Sequence, residues 1–362
     1  MRNPLHFALV IGISRYPGGY SLLLGPANDA KAFATWVTSP SGGGVPRENV
    51  ARCITPARGA MTLPTARPTK VKIDDALWLL RNKARDAYKE LPEEERSQAR
   101  RASRLYIYMA GHGIMPRGGE AALLDARAQP TRHTNLEIAR YGSWFRRDGT
   151  FAELCIFADC CRNYELLATL WGPDFDEPAE LGEPVSALVG YATTAGDLAR
   201  EESARFDPEV PPDERRGYFS RALIDGLKGE AIHPRTGYVT AASLANYVRT
   251  QVTERTKDRP AYQRQAIEMK PDPSHPITFG PQRLVPQLYK VVIRFKPGFD
   301  GEVELIAPDG SSSFWRASNG PWTVMLYNGI WMVQHAGTDR DTTGFEENGA
   351  FRVNGADRDV QL

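Results

Sequence analysis

Two stretches decide the fold, namely RLYIYMAGHG at residues 104–113 and FAELCIFADCC at residues 151–161. Each is a short run of β-branched, aromatic and other apolar residues that closes on small and polar residues, which predicts a buried strand. The runs end at His112 and Cys161, and in open α/β sheets functional side chains collect outside the carboxyl ends of the strands. We therefore expect an imidazole and a thiol to meet at one edge of a sheet, although 49 positions separate them in the chain.

Strands and helices alternate on both sides of these stretches. Further buried strands are predicted within residues 5–15 (LHFALVIGISR) and 186–194 (SALVGYATT). Apolar residues recur at the spacing of one buried helix face in four segments, which begin near residues 29, 73, 219 and 244. This alternation predicts an α/β fold with a mostly parallel sheet flanked by helices.

A proline-studded passage at residues 271–286 separates this pattern from a different one. Short alternating runs follow it, divided by turn signals such as PDG and YNG, and they predict a small antiparallel β-sandwich of the immunoglobulin-like kind. We therefore expect two domains, an α/β domain at residues 1–283 and an all-β domain at residues 284–362.

The overall charge excludes some classes of partner. Lysine and arginine number 45 against 44 acidic residues, which gives a formal net charge of +1. Such a balance supplies no field that would attract nucleic acid or an anionic membrane, so we expect neither partner. The apolar runs are too short to span a bilayer, and the N-terminus lacks the basic and apolar regions of a signal peptide. We expect a cytoplasmic protein.

The four cysteines are Cys53, Cys155, Cys160 and Cys161. They show neither the regular spacing of a disulfide framework nor the paired C-x-x-C of a zinc site, so we expect free thiols and no metal or cofactor. Zinc held by His112 and the three nearby cysteines is a competing interpretation that lacks the usual chelate spacing. Cys53 and Cys155 are interpreted as inert core residues. Cys160 and Cys161 are adjacent and point in different directions, and spacing alone does not choose between them.

A nucleophilic cysteine needs a base and a way to stabilise negative charge. The free thiol has a pKa of about 8.5, so a neighbouring group must take its proton before it attacks a carbonyl. His112, set between two glycines at a predicted strand end, is the candidate base. The backbone N–H groups of Gly113 and Cys161 are candidate donors to the developing oxyanion. The competing interpretation is a buried inert thiol and a structural histidine.

These residues resemble the caspase-like cysteine proteases (peptidase family C14), and most closely the paracaspases, the metacaspases and their bacterial relatives. In caspases the histidine precedes the cysteine by about 50 residues, and the strings ALVIGISRY, GPANDA and GYATTAGDLAREE also fit in order. The caspase Q-A-C motif is replaced here by Asp159-Cys160-Cys161, which looks like the paracaspase version and implies that Cys161 is the nucleophile. The resemblance covers roughly residues 5–255 and implies a cysteine endopeptidase with a Cys-His dyad.

The resemblance also implies a substrate preference. The first specificity pocket of paracaspases is acidic, and its three carboxylates match Asp29, Asp159 and Glu201 by position in their motifs. Arginine suits such a pocket best, because its planar guanidinium binds carboxylates bidentately and keeps its charge. The competing interpretations are a helix cap for Asp29 and a solvated loop acid for Glu201. Calcium dependence, which some metacaspases show, stays open because no dispersed acidic cluster can be mapped.

Residues 197–217 are polar and contain prolines, which predicts a flexible loop beside the pocket. Arg205, Arg215 and Arg216 are candidate processing sites in this loop. The family resemblance implies a bacterial protease, with relatives that act in defence, activated by cleavage, by a partner protein or by pairing of two copies. The expected partners are a protein substrate with an exposed arginine, an activating protease or partner protein, and a second copy. The alternative function is a catalytically silent scaffold or sensing module.

Overall fold

The structure of the protein is a computed structural model. It describes residues 3–56, 59–116, 119–165, 168–178, 182–233, 236–261, 264–271, 276–281, 288–295, 297–308, 311–327, 329–335, 349–353 and 356–361.

Six α-helices lie within these residues: α1 (Gly25–Thr38), α2 (Lys70–Lys89), α3 (Glu93–Arg101), α4 (Ile138–Asp148), α5 (Tyr218–Asp225) and α6 (Ala241–Thr256). The strands that precede residue 282 are β1 (His6–Gly12), β2 (Val50–Ile54), β3 (Arg104–Gly111), β4 (Gly113–Ile114), β5 (Ala122–Leu124), β6 (Asn135–Glu137), β7 (Glu153–Cys160), β8 (Ser186–Tyr191), β9 (Val239–Thr240), β10 (Glu268–Lys270) and β11 (Thr278–Phe279). The later strands are β12 (Leu288–Arg294), β13 (Glu302–Ile306), β14 (Ser312–Arg316), β15 (Trp322–Tyr327), β16 (Gly329–His335), β17 (Ala350–Val353) and β18 (Arg358–Gln361).

A six-stranded sheet in the order β10-β8-β7-β3-β1-β2 forms the centre of the α/β part. Its neighbouring strands are parallel except at the β10 edge, where β10 runs antiparallel to β8. The central strands β1, β3 and β7 are buried along almost their whole length, as expected of parallel strands covered on both faces. The predicted fold class, a mostly parallel sheet flanked by helices, is confirmed.

Helices cover both faces of this sheet and enclose two hydrophobic cores. Side chains of β3 alternate between them, so that Tyr108 packs with α1, α5 and α6 while Ile107 packs with α2 and α4. Phe33 of α1 stacks on Tyr108 with ring centroids 4.6 Å apart. The aliphatic stripe that predicted α2 faces the sheet, with Ile73 and Leu77 buried.

The chain contains elements that the sequence pattern did not predict. The β4–β5–β6 sheet follows directly after His112, and α4 lies between β6 and β7. Gly149 ends α4 in the left-handed conformation at φ 64°, a common helix end signal. Helix α1 begins at Gly25, with a proline in its first turn, so the prediction that Asp29 lies at its start is wrong by one helical turn.

The C-terminal part forms a three-stranded sheet, β15-β12-β18, and a four-stranded sheet, β14-β13-β16-β17. Val291 and Trp322 from the first sheet share one core with Leu305, Trp331 and Phe351 from the second. The pairing of β12 with β18 is parallel, which departs from the fully antiparallel expectation. The expected domain boundary at residues 283 and 284 lies outside the described residues.

None of the helices in the described part of the chain combines the length and the apolar character that a membrane span requires.

Candidate active site

The register of β3 and β7 brings the predicted histidine and cysteine to one edge. Gly111 is paired with Cys160 at the carboxyl end of these parallel strands. His112 and Cys161 are the next residues of each strand, so they leave the sheet side by side at the spacing of neighbouring strands, about 4.8 Å. The expectation that both groups lie outside the carboxyl edge of the sheet agrees with this register.

Three groups hold the His112 ring. Its backbone N–H donates to the Tyr16 hydroxyl at 2.9 Å, and its ring packs against the rings of Tyr16 and Tyr20 at 4.9 and 5.4 Å between centroids. Its Nε2 lies 2.9 Å from the Ser21 carbonyl oxygen. A carbonyl oxygen can only accept, so Nε2 carries the proton and Nδ1 is the basic nitrogen. Burial lowers the pKa of His112, against the opposing effects of the Ser21 carbonyl and Glu201.

The two adjacent cysteines have different surroundings. Cys160 is only 1% exposed and packs in the core beneath α2 and α4. Cys161 is partly exposed, and its Sγ lies 3.8 Å from the Ala199 carbonyl oxygen. Burial raises the pKa of Cys161 to about 11, so the resting thiol is protonated at neutral pH. Of the two sulfur atoms, only that of Cys161 is placed to meet a substrate.

Gly113 lies directly against the segment that contains the candidate nucleophile Cys161. A Cβ atom at this position would come within 2.3 Å of the Cys161 carbonyl oxygen and 2.9 Å of the Cys160 Sγ, so only glycine fits. Gly113 pairs with Leu123, and the flanking bond from the Leu124 N–H to the His112 carbonyl marks a non-hydrogen-bonded pair. The β4–β5 ladder therefore does not use the Gly113 N–H.

The three predicted pocket carboxylates converge on two glycines. A Cβ atom at Gly217 would lie 2.2 Å from Asp159 Oδ2. One at Gly25 would lie 2.9 Å from Glu201 Oε2 and 3.1 Å from Asp29 Oδ2. Side chains contributed by α1, by β7 and by the segment after β8 thus meet in one place, which we call the acid pocket (Asp29, Asp159 and Glu201).

Backbone N–H groups already bind these carboxylates. Glu201 accepts from Leu24 at 3.1 Å and Gly25 at 2.8 Å, at the start of α1, a helix with no side-chain cap of its own. Glu201 is therefore not a freely solvated loop acid. Asp29 does not cap its own helix, and it accepts instead from Gly217 N at 2.8 Å at the start of α5. The competing interpretations, a cap of its own helix for Asp29 and a solvated loop acid for Glu201, are therefore both wrong.

Asp159 accepts two hydrogen bonds from Ser220, one from the backbone N–H at 3.2 Å and one from the hydroxyl. Burial raises the pKa of Asp159 to about 6, although the Ser220 hydrogen bonds act against it. Burial also raises the pKa of Asp29 to about 8, opposed chiefly by the positive charge of Arg216. The acid pocket therefore gains negative charge between about pH 5 and pH 9.

The candidate processing arginines occupy different positions. Arg205 is exposed, whereas Arg215 and Arg216 are half-buried. The Arg215 carbonyl accepts from Asn28 Nδ2 at 3.0 Å. The Arg216 guanidinium lies in the acid pocket, with its Nε 2.8 Å from Asp29 Oδ1. The end of the loop that was predicted to be flexible is thus bound to the pocket.

Some residues of the site carried no sequence signal. Arg162 follows the candidate nucleophile, and its guanidinium bonds the Thr193 carbonyl and Glu268 and lies 4.5 Å from the centre of the Tyr191 ring. It ties the segment after Cys161 to β8 and to the edge strand β10. Nothing in the sequence connects it with a glutamate 106 positions away.

The competing zinc interpretation is wrong, because its proposed ligands lie apart. Cys155 packs in the core beneath α1 and α5, whereas Cys160 packs in the core on the opposite face of the sheet. Among the described residues no group of three or more histidine, cysteine or acidic side chains is arranged to hold a metal ion. All four cysteines are free thiols.

Comparison with known proteins agrees with this architecture. A family model described as a caspase domain (Peptidase C14) matches residues 5–270. A protein named a probable protease, from a Desulfuromonadales bacterium, is 27% identical over 237 residues, which cover 62% of this chain and 26% of that protein. The chain thus spans about a quarter of the length of this relative.

Two solved structures also match the chain. A crystal structure of caspase-1 from Spodoptera frugiperda matches at 12% identity and a TM-score of 0.45, covering 75% of this chain and 87% of that one. A structural-genomics protein from Geobacter sulfurreducens matches at 14% identity and a TM-score of 0.42, covering 75% of this chain and 96% of that one.

Proposed function

The chain belongs to the caspase-domain family of peptidases, and from this premise we propose that it is a cysteine endopeptidase that cleaves its substrates after arginine. The observation that carries the proposal is the register of β3 and β7, which leaves His112 and Cys161 side by side at the carboxyl edge of the sheet. Cys161 is the nucleophile, His112 is its base, and the acid pocket binds the arginine that precedes the cleaved bond.

The reaction begins with a neutral pair. Burial raises the pKa of the Cys161 thiol to about 11 and lowers that of the His112 imidazole, so the proton moves only as the attack begins. His112 Nδ1 takes the thiol proton, a C–S bond forms, and the carbonyl electrons move onto oxygen. As the C–N bond breaks, the imidazolium returns the proton to the departing amine. Water, with His112 as base, then hydrolyses the thioester to the acid and restores the thiol.

The Ser21 carbonyl and the Gly113 amide support this chemistry. Because the Ser21 carbonyl accepts from Nε2–H, the ring keeps the tautomer whose Nδ1 is basic, and it stabilises the imidazolium when that forms. The N–H groups of Gly113 and Cys161 donate to the oxyanion, and each such donor contributes about 3 kcal/mol in the transition state.

The acid pocket supports the preference for arginine. Asp29 and Asp159 are 1% and 7% exposed, so each carboxylate, once ionised, meets an entering cation with little competition from water. A guanidinium offers five N–H donors to these carboxylates, whereas an ammonium acts as a single point charge and an aspartate would be repelled. We therefore expect arginine to be preferred to lysine, and aspartate to be rejected.

Fluorogenic peptides that differ only in the residue before the reporter test this function. The protein, alone and fused to a dimerising domain that mimics activation, is expected to cleave the arginine peptide best, the lysine peptide less well and the aspartate peptide not at all. Best cleavage of the aspartate peptide would overturn the assignment of the pocket. Absence of cleavage from both forms would favour the scaffold alternative.

The pH dependence should separate the acid pocket from the catalytic pair. Asp159 and Asp29, with pKa values raised to about 6 and about 8, ionise as pH rises, so arginine binding should strengthen from pH 5 to pH 9. A citrulline peptide has the same shape without the charge, and the ionisation of Cys161 affects both peptides equally. The ratio of kcat/KM for arginine over citrulline is expected to rise about tenfold or more across this range. A constant ratio would show that these carboxylates do not bind the substrate.

Self-processing is expected at Arg205 and not at the other two candidates. Arg205 is exposed, whereas the Arg215–Arg216 bond is held by Asn28 on its carbonyl and by Glu202 on its N–H. A protease must draw its substrate into an extended form, which is easier for an exposed segment than for a hydrogen-bonded one. Intact-mass spectrometry of the incubated protein should show the two fragments produced by cleavage after Arg205. A variant that lacks the Cys161 thiol should not produce them. Fragments that meet after residue 215 or 216 would contradict this expectation.

A further inference from the structure

The acid pocket already contains a cation from its own chain. The Arg216 Nε donates to Asp29 Oδ1 at 2.8 Å, and its terminal nitrogen donates to the Ser220 carbonyl at 3.2 Å. The side chain of Arg216 is 12% exposed and that of Asp29 is 2% exposed. The positive charge of Arg216 also opposes the rise that burial causes in the pKa of Asp159. Arg216 is therefore a neighbour of two of the pocket acids, Asp29 and Asp159.

Arg216 has the same chemical group as the proposed substrate residue. A guanidinium that entered the pocket would meet the carboxylate of Asp29 already engaged and a like charge beside it. Two cations in a poorly solvated pocket repel each other strongly, so they do not share it without loss of binding energy. Occupation by Arg216 and occupation by a substrate arginine therefore compete.

The backbone around Arg216 allows its side chain to leave. Glu202 N–H donates to the Arg216 carbonyl at 2.9 Å, and the Arg216 N–H donates to Glu202 Oε2 at 3.0 Å. Glu201 and Gly217 form an antiparallel bridge beside this pair. These contacts fix the backbone and leave the side-chain torsions free, so rotation about Cα–Cβ moves the guanidinium without unfolding the segment.

We infer that Arg216 is an internal competitor of the substrate, and that the acid pocket accepts a substrate arginine only after the Arg216 side chain has rotated out. The inference rests on the proposed function, because it concerns the pocket that reads the substrate. If the open arrangement makes up about 1–10% of the resting population, the measured affinity for a guanidinium is about 10- to 100-fold below that of the empty pocket.

The test measures guanidinium binding without catalysis. In the chain of residues 1–362 carrying Cys161→Ala, calorimetry records the affinity for Nα-acetyl-arginine methylamide with and without Arg216→Gln. The expected result is an affinity about 10- to 100-fold higher with Arg216→Gln. In the protein that retains its thiol, the same change should lower KM for the arginine peptide by a similar factor and leave kcat within about threefold.

Arg81→Gln is the matched control. Arg81 and Asp148 form another arginine–aspartate pair, with the same side-chain exposures of 12% and 2%, between α2 and the end of α4. This variant should bind the probe like its parent, so a gain in both variants would overturn the inference. If Arg216→Gln lowers the melting temperature more than Arg81→Gln does, the Arg216→Lys variant is measured instead. Lysine is shorter and holds Asp29 less well than arginine, so this variant should bind the probe more tightly than its parent. Equal or weaker binding overturns the inference.

The outcomes for the two proposals differ. Tighter probe binding by Arg216→Gln in a protein that cleaves no arginine peptide supports the internal competitor and overturns the proposed protease. Unchanged or weaker probe binding in a protein that does cleave after arginine overturns the internal competitor alone, and assigns Arg216 as a fixed part of the pocket wall.

Discussion

Cys161→Ala is expected to lower kcat/KM for an arginine peptide by about four orders of magnitude or more, whereas Cys160→Ala leaves it within about tenfold. The two sulfur atoms are neighbours in sequence but lie in different surroundings. Cys161 is partly exposed at the edge of the sheet beside His112, and Cys160 is 1% exposed in the core. Without the Cys161 thiol no acyl intermediate can form, and only binding and the oxyanion donors remain.

The control variant separates chemistry from packing. Cys160→Ala removes one buried sulfur atom, which should cost about 1 kcal/mol and lower the melting temperature by a few degrees. Steady-state kinetics with the arginine peptide and thermal unfolding should be measured on both variants. The reverse pattern, with activity lost in Cys160→Ala and kept in Cys161→Ala, would contradict the assignment of the nucleophile.

The sequence was sufficient to predict the two strands that carry the candidate site. The apolar runs before His112 and Cys161 predicted β3 and β7, and the rule for the carboxyl ends of parallel strands predicted that the two residues meet. Spacing left Cys160 and Cys161 undecided. Pleating decides between their positions, because Cys160 is the last residue of β7 and points into the core, while Cys161 lies beyond the strand.

The partners of these residues were not predictable, because most of them are backbone groups. The Ser21 carbonyl that orients His112 lies 91 positions away, and any residue could supply it. Likewise, the Leu24 and Gly25 N–H groups bind Glu201 because α1 begins one helical turn earlier than the sequence suggested. Hydrogen bonds from the main chain leave no residue pattern, so only the fold identifies them.

The position of the Arg216 side chain was also not predictable from the sequence. Its polar, proline-bearing segment predicted a flexible loop, and the middle of that segment is indeed largely exposed. Its end is fixed by Glu202 and Asp29, which are distant in sequence from one another. Two of the acids that predicted an arginine pocket, Asp29 and Asp159, thus explain why an arginine of the chain lies there, although the sequence predicted that arginine only as a cleavage site.

Glu201→Gln is expected to lower kcat/KM for the arginine peptide by about 10- to 100-fold and to leave the citrulline peptide almost unchanged. Of the three acids, Glu201 lies outside the helix and strand that carry the other two, and its side chain is held by two backbone N–H groups of α1. The Leu24 and Gly25 N–H groups bind different oxygens of Glu201, so glutamine keeps an acceptor for only one of them, and the citrulline peptide reports any cost of the lost backbone hydrogen bond. The change removes one charge-assisted hydrogen bond to the substrate, and such a bond contributes about 1.5–3 kcal/mol to the binding free energy.

A matched control is Glu209→Gln, which removes the same charge from an exposed position in the same segment. If the effect of Glu201 arose from long-range attraction of a cationic peptide, the two variants would behave alike, and the loss would fade with added salt because surface charges are screened within about 8–10 Å. A contact in the pocket predicts the opposite: a loss confined to Glu201→Gln, seen with arginine and not with citrulline, and almost independent of salt. Equal losses in both variants, or a loss with citrulline as large as with arginine, would remove Glu201 from the pocket that reads the substrate.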